Sequence, residues 1–484
     1  MVSHEFVKAD EHDMTRVKIK TPSLRDHVAN IPGPRFVCNC VQSANFTELA
    51  NGTSLGGEAA SLTSRSVLLA TESQLTTALA LIELDGRARR LTILPPDTAA
   101  AHLPTLIAGA EIDAVVIDHG SPQSAAFDLP VRVVCTPSIV SMQQARTDHH
   151  IRTEWVLLTS GTTAVPKMVV HNLATLIAAA AAASPADGAT VWGTFYDIRR
   201  YGGLQIFLRA ILGGASLVLS HAGEPVPEHL TRLARHGVTH LSGTPSHWRR
   251  ALMNPAIRKI ALRYIRLSGE MADQAVLDVL RANFPYANIG HAYASTEAGV
   301  AFDVNDGLAG FPAAYVGAIR DGVEMKVVDS SLRIRSPRTA LRYIATDQVL
   351  MDIDGFVHTR DIVEHRGERY YFVGREDGII NVGGLKIHPE EIEAVINQHP
   401  QVRMSLARPQ ASPVLGAIVV ADVVLRFDTA PANDEREGLQ LNQLRDEILK
   451  LCREALPRHK VPATISFVPS LQVTATGKLA RRER

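Results

Sequence analysis

The stretch Leu157 to Asn172, LLTSGTTAVPKMVVHN, carries the densest chemistry in the chain: an apolar run passes into hydroxyls and glycine and ends in Pro166-Lys167. Backbone N–H groups, the four hydroxyls of Thr159, Ser160, Thr162 and Thr163, and the ammonium of Lys167 together suit a polyanion. This is no Walker loop, because G-x-x-x-x-G-K-[ST] is absent and no helix is expected to open at the lysine. The chain also lacks G-x-G-x-x-G and H-E-x-x-H, which removes sequence support for nicotinamide and zinc-protease chemistry.

Downstream stand Tyr293-Ala294-Ser295-Thr296-Glu297, then Thr359-Arg360-Asp361, then Gly374-Arg375-Glu376-Asp377 leading into Asn381-Val382-Gly383-Gly384-Leu385-Lys386, and finally Thr476-Gly477-Lys478. In this order the segments resemble the adenylate-forming superfamily: acyl-CoA synthetases, adenylation domains of nonribosomal peptide synthetases, and firefly-type luciferases. The resemblance covers Glu154 to the carboxyl end; upstream, NFTEL (Asn45 to Leu49) and a βαβαβ pattern join it.

The resemblance implies that Thr159, Ser160, Gly161, Thr162, Thr163 and Lys167 surround the β- and γ-phosphates of ATP, and hydroxyls, amides and one cation do suit a departing pyrophosphate. It places Tyr293 against adenine, Thr296 on a phosphate and Glu297 on Mg²⁺, a hard cation that prefers a carboxylate plus waters. Gly269 and Glu270 would line the adenine edge. Asp361 would accept both ribose hydroxyls, and Arg375 would bond the ribose or phosphate from the other side. Lys478 would reach the bond forming between carboxylate and α-phosphate, where a fixed ammonium meets growing negative charge. Asp377 would be the hinge of a mobile carboxyl-terminal domain, and Gly383 and Gly384 would let a phosphopantetheine arm pass close to backbone.

The family usually has glycine where Ala164, Ala294 and Arg360 stand, and a loop needing positive φ would be strained at any of them. The acyl pocket is expected along Tyr196 to Leu204, Thr244 to Trp248 and the turn at Ala294, Gly299 and Val300, with Tyr196, Gly203, His247, Ala294 and Gly299 as its named wall. Amino-acid-activating relatives hold an α-ammonium with an aspartate near Asp197, a role that Arg199 and Arg200 argue against; either arginine could meet a carboxylate instead. The implied activity is an AMP-forming ligase of a small carboxylic acid, needing ATP and Mg²⁺, with coenzyme A as thiol acceptor. The alternatives are a carrier protein's phosphopantetheine as acceptor, or a nucleotide-binding relative that has lost turnover along with its glycines.

The elements that must position these residues follow from pattern. Ser66 to Asp118 reads strand (SVLLA), helix (QLTTALALIELDG), strand (RLTIL), helix (AHLPTLIAGA), strand (AVVID), hence a parallel sheet. WVLLT, ASLVLS, VTHLSG and IRLSG continue it, so a large α/β domain is predicted. Between Asp321 and Val373 short strands with turns predict a small β-rich subdomain. From Gly378 onward a compact α+β unit carries helices over Pro389 to Gln398 and Leu441 to Leu456 and the strand GAIVVADVVL. The expected division is 1–374, a hinge at 375–377, and 378–484. At 484 residues more than one core is expected. Fifty Lys+Arg against fifty Asp+Glu give no reason to expect nucleic acid or an anionic membrane. Cys38, Cys40, Cys135 and Cys452 are too few and scattered for a disulfide framework and read as ordinary buried thiols of a cytoplasmic protein. The charged amino terminus does not read as a secretory signal. The longest apolar run, Leu173 to Ala183, is too short to span a membrane and reads as a buried helix.

Overall fold

A computed structural model describes residues 22–121, 127–142, 151–159, 165–179, 189–221, 223–382, 385–412, 416–426, 435–474 and 478–480. The predicted βαβαβ unit forms as Ser66–Leu69, Gln74–Leu84, Arg90–Ile93, Leu103–Gly109 and Ala114–Asp118, with the outer strands parallel to the first. Ser73 caps the first helix by accepting Leu75 N–H. All eleven residues of Gln74–Leu84 are buried, because the helix lies between two sheets rather than on one. Leu75, Leu79, Leu81 and Leu84 join Val67 and Leu91 of one sheet and Val37 and Leu217 of the other in a single core. Each fully buried leucine contributes about 1.5–3 kcal/mol.

The first sheet has seven strands and is mixed, not purely parallel: Glu154–Thr159 runs parallel to Arg90–Ile93 but antiparallel to Lys167–Asn172, which pairs in turn with Arg342–Ile344. The strand after Pro166 was not legible from pattern, since the hydroxyl-rich loop preceding it reads as a turn. The second sheet has eight strands; Val191–Thr194, His240–Gly243, Tyr264–Ser268 and Asn288–Ser295 are parallel neighbours, and Gly299–Val304 closes the edge antiparallel. The β-rich region is a six-stranded sheet that includes Val323–Val328, Ser331–Arg335, Val357–Arg366 and Arg369–Arg375.

The carboxyl-terminal α+β unit has its own core, in which Ile387, Ile392, Ile448 and Ile465 meet. Its second helix, Glu435–Ala455, begins six residues earlier than its apolar stripe suggests, the added turns being polar. Pro389–Ile396 forms as expected, and Val402–Ser412 pairs with Gly416–Leu425. In the apolar run the helix spans Leu173–Ile177; residues 180–188 lie outside the described set. Cys38, Cys135 and Cys452 are buried, whereas Cys40 is exposed, on the turn between Phe36–Cys38 and Ser43–Asn45. No helix among the described residues is long and apolar enough to cross a membrane.

Candidate active site

The sheets, the β-rich region and the carboxyl-terminal unit enclose a cleft of about 3080 Å³. Thr159, Lys167, Tyr196, Gly203, Gly269, Glu270, Tyr293, Ala294, Thr296, Glu297, Asp361, Arg375, Asp377 and Lys478 all line it. Ser160, Gly161, Thr162, Thr163, Ala164, Gly383 and Gly384 lie outside the described residues.

Strand register builds the ribose-like corner. Asp361 and Arg375 are direct cross-strand partners, which sets their side chains beside each other, with Arg375 Nη1 3.3 Å from Asp361 Oδ1. The Tyr293 hydroxyl donates to the other Asp361 oxygen. Thr359 pins the strand, its Oγ1 donating to Leu332 O at 2.7 Å and accepting Asp361 N–H at 3.1 Å. Burial pushes the Asp361 carboxyl above its ordinary range, against the opposing pull of Arg375, Tyr293 and Lys478. The Tyr293 ring stacks on Phe372 at 5.1 Å and on Phe302 at 5.7 Å, so an aromatic pile fixes where its hydroxyl points.

Thr296 and Glu297 occupy the turn between Asn288–Ser295 and Gly299–Val304. Two residues that pattern reading missed hold this turn to the phosphate-loop strands. His171 Nε2 donates to Thr296 O at 2.8 Å, while its Nδ1 lies 2.9 Å from Thr175 Oγ1. Burial pushes His171 down to about 4, so the ring is neutral. Tyr343 hydrogen-bonds the Glu297 carboxylate, and burial together with that charge pushes its hydroxyl up to about 12. The Lys167 ammonium lies 5.5 Å from the center of the same ring. Neither contact leaves a sequence signal, because the partners are more than a hundred residues apart for His171 and forty-six for Tyr343.

Glu270 joins the two units. One oxygen accepts Ser246 N–H at 2.9 Å, and the other accepts Leu479 N–H at 3.1 Å. Lys478 next door stands in the cleft, open to solvent yet ringed by protein. Crowding draws its ammonium below the ordinary lysine value, with Glu270 foremost among the charges pulling it back up. Gly269 has φ +86°, and a Cβ there would lie 3.6 Å from Lys478 Cε. Asp377 falls in a 3₁₀ turn, Glu376–Gly378, with its carboxylate 3.3 Å from Arg375 Nε.

On the acyl side the expectations need correcting. His247 does not line the cleft: it stacks on Phe195 at 5.3 Å, closes the capping box of helix Pro245–Ala251, and is kept neutral by burial. Gly299 also lies behind the wall, where a Cβ would meet Arg338 O at 2.4 Å. Gly203 is needed for close approach, since a Cβ would come within 2.2 Å of Asp197 O. Arg199 cannot receive a substrate carboxylate: it grips Asp197 at 2.6 Å and 2.9 Å and donates to Thr71 O and Glu72 O. Arg200 pairs with Asp97. Of the glycine replacements, Ala294 keeps ordinary backbone, whereas Arg360 sits at φ +63°, a left-handed conformation that costs a side-chain-bearing residue about 1–2 kcal/mol.

Comparison with known proteins agrees with this geometry. The sequence profile described as AMP-binding enzyme matches residues 94–340, and that described as AMP-binding enzyme C-terminal domain matches residues 391–478. The 4-coumarate–CoA ligase 3 of Arabidopsis thaliana is 25% identical, over 67% of this chain and 61% of its own length. The probable nonribosomal peptide synthetase CymA of Salinispora arenicola is 26% identical, over 80% of this chain and 5% of its own. The chain thus spans less than two thirds of either relative. A benzoate CoA ligase from Burkholderia xenovorans LB400 shares the fold with a TM-score of 0.77 at 18% identity, covering 95% of this chain and 99% of that one. The chain belongs to the adenylate-forming family of AMP-binding enzymes.

Proposed function

We propose that the protein is an ATP-dependent ligase that converts a small carboxylic acid to its acyl-adenylate and then to a thioester, with coenzyme A as the acceptor. The observation that carries this reading is the convergence of Asp361, Tyr293 and Arg375 with Glu297 and, from the carboxyl-terminal unit, Lys478 on one cleft. Asp361 would take the ribose hydroxyls in a site where burial makes an unpaired carboxylate costly and two hydroxyl donors welcome. Thr159, Lys167 and Thr296 would hold the phosphates. The acid's carboxylate oxygen attacks the α-phosphorus, the bond to pyrophosphate breaks, and Lys478 offsets the charge at phosphorus.

Glu297 would hold Mg²⁺. Among the described residues no three His, Cys, Asp or Glu side chains gather as a metal cage, which suits an ion held by one carboxylate, waters and phosphates. Such an ion neutralises the leaving pyrophosphate. The thiol then attacks the acyl carbon and AMP departs. For that step the unit from 378 onward would turn about 375–377, bringing Gly383 and Gly384 to the cleft in place of Lys478. A cytoplasmic location fits the supply of both ATP and coenzyme A. The similarity to a peptide synthetase favours one second reading, in which the acceptor is a carrier protein's phosphopantetheine. Pyrophosphate release with a panel of acids tests the ligase reading, and no release with any acid would leave a nucleotide-binding protein. Thioester formation with free coenzyme A separates the two acceptors.

A further inference from the structure

Beyond the acyl side of the cleft the fold buries a surplus of positive charge. On strand Tyr264–Ser268, Arg266 and Ser268 share a face. Ser268 lines the cleft and pairs with Ala292, which also lines it and is itself the register partner of Asp303. Helix Tyr201–Leu212 starts in the cleft wall and carries Arg209 just over two turns on, along the stripe of Tyr201.

From these supports three guanidiniums converge. Arg266 pairs with Asp303 Oδ1, and Arg209 Nη2 lies 3.8 Å from Asp303 Oδ2. Arg338 donates to Val300 O at 2.9 Å, and its buried Nε has no partner among the described residues. Arg266 is 4% exposed, Arg338 8%, and the Arg209 side chain 12%. All three bear on the Tyr201 hydroxyl, which faces them from the cleft wall. Among the described residues Asp303 is the one carboxylate within ion-pair distance of any of them, so three cations share one anion. Buried charge is otherwise matched closely in this protein, as at Arg199 and Asp197 or Arg232 and Glu224. Charge buried without a counterion is costly, and a fold that keeps it needs an anion to arrive.

Resting on the ligase reading above, we propose that this cluster is the far wall of the acyl pocket and binds a second carboxylate, so that the acid activated is a dicarboxylic acid. Three strand residues separate Arg266 from Gly269 beside Lys478, roughly 10 Å at 3.3 Å per residue. An aromatic ring or a short chain between the two carboxylates spans that distance once the arginine side chains reach inward. The reacting carboxylate and the distal one thus have separate cations, Lys478 and the cluster.

The experiment compares acids in pairs that differ by one distal carboxylate, octanoate against suberate and phenylpropionate against its para-carboxylated form. Pyrophosphate release gives kcat/KM, and calorimetry gives binding without turnover. A diacid preference of about 10- to 100-fold, expressed in KM and in Kd, is expected from a charge-assisted contact. In Arg209→Met the preference should collapse toward parity, and Arg209→Lys should restore part of it; melting temperatures check that both fold. Equal or better use of the monoacids overturns the proposal, as does an Arg209→Met variant that folds and keeps the preference. Failure of every diacid to bind overturns it too. Pyrophosphate release with monoacids alone leaves the ligase reading standing without the cluster. Selective diacid binding lost in Arg209→Met, without pyrophosphate release, leaves the cluster standing without the ligase.

Discussion

Replacing Glu270 with glutamine tests whether a hydrogen bond holds the carboxyl-terminal unit in its present orientation. The two Glu270 oxygens accept Ser246 N–H at 2.9 Å and Leu479 N–H at 3.1 Å. Glutamine offers one acceptor oxygen and must turn an NH₂ toward the other donor, so one bond is lost and two donors face each other. Ser246 lies in the first turn of helix Pro245–Ala251, where free backbone N–H groups and the helix dipole keep an oxygen in place. The bond given up is therefore the one to Leu479. A hydrogen bond to an ionised acceptor contributes about 1.5–3 kcal/mol, and the open cleft puts this one at the lower end, which corresponds to about a tenfold weaker docking equilibrium. Rapid-quench measurement of acyl-adenylate formation should show about a tenfold slower step, while presynthesised acyl-adenylate is converted to thioester no more slowly than in wild type. A second readout comes from charge. Glu270 is foremost among the groups holding the Lys478 ammonium protonated against crowding, so in the variant the alkaline loss of adenylation should begin at lower pH. Equal slowing of both half-reactions, or an unmoved alkaline limb together with an unchanged adenylation rate, would refute the docking role.

Lys478→Ala should slow acyl-adenylate formation by about 10²-fold or more, in line with one lost electrostatic stabiliser, and leave the thioester step from added acyl-adenylate intact; normal pyrophosphate release would remove the lysine from the mechanism. Asp361→Asn should raise the KM for ATP by about 10-fold or more without lowering the melting temperature, and unchanged ATP dependence would count against a ribose contact. Asp377→Pro should preserve adenylation and abolish thioester formation, because the 3₁₀ turn at Glu376–Gly378 already holds φ near the value proline imposes; wild-type rates in both would exclude a pivot there. Burial pushes the Asp85 carboxyl from 3.8 up to about 6, against the pull of Leu24 N–H and Trp155 Nε1–H. A raised carboxyl keeps its proton in the folded chain after the unfolded chain has released it, so its contribution is complete below pH 3.8 and lost as pH rises to about 6. The loss amounts to about 3 kcal/mol. Denaturant midpoints across that range should fall more in wild type than in Asp85→Asn, and parallel profiles would dismiss the effect.

What could be read from the chain was local. The βαβαβ order survived intact because Ser66 to Asp118 alternates short apolar strands with longer helices, a pattern set within a few residues. The segments around Asp361, Arg375 and Lys478 were found because each is a short string of residue types. What escaped depends on contacts across the fold. His247 sits in a cleft-lining segment, yet its side chain turns back to cap its own helix, and sequence does not record that choice of direction. Arg199 and Arg200 looked available for a substrate until folding brought Thr71, Glu72 and Asp97 against them. Arg209, Arg266 and Arg338 come from a helix, a strand and a turn, and only the register of the second sheet assembles them.

His171 has a consequence for how the site answers acid. With its ring neutral above about pH 4, the support behind Thr296 is electrically silent across the working range. The cleft can gain or lose cations at its surface without any charge appearing behind the turn. Below that pH the same ring would become a cation sealed between two strands, its Nδ1 proton directed at a hydroxyl already engaged with Asn172. The support would then push rather than hold. Acid should therefore loosen the Thr296–Glu297 turn from behind before the carboxylates in front of it have finished titrating.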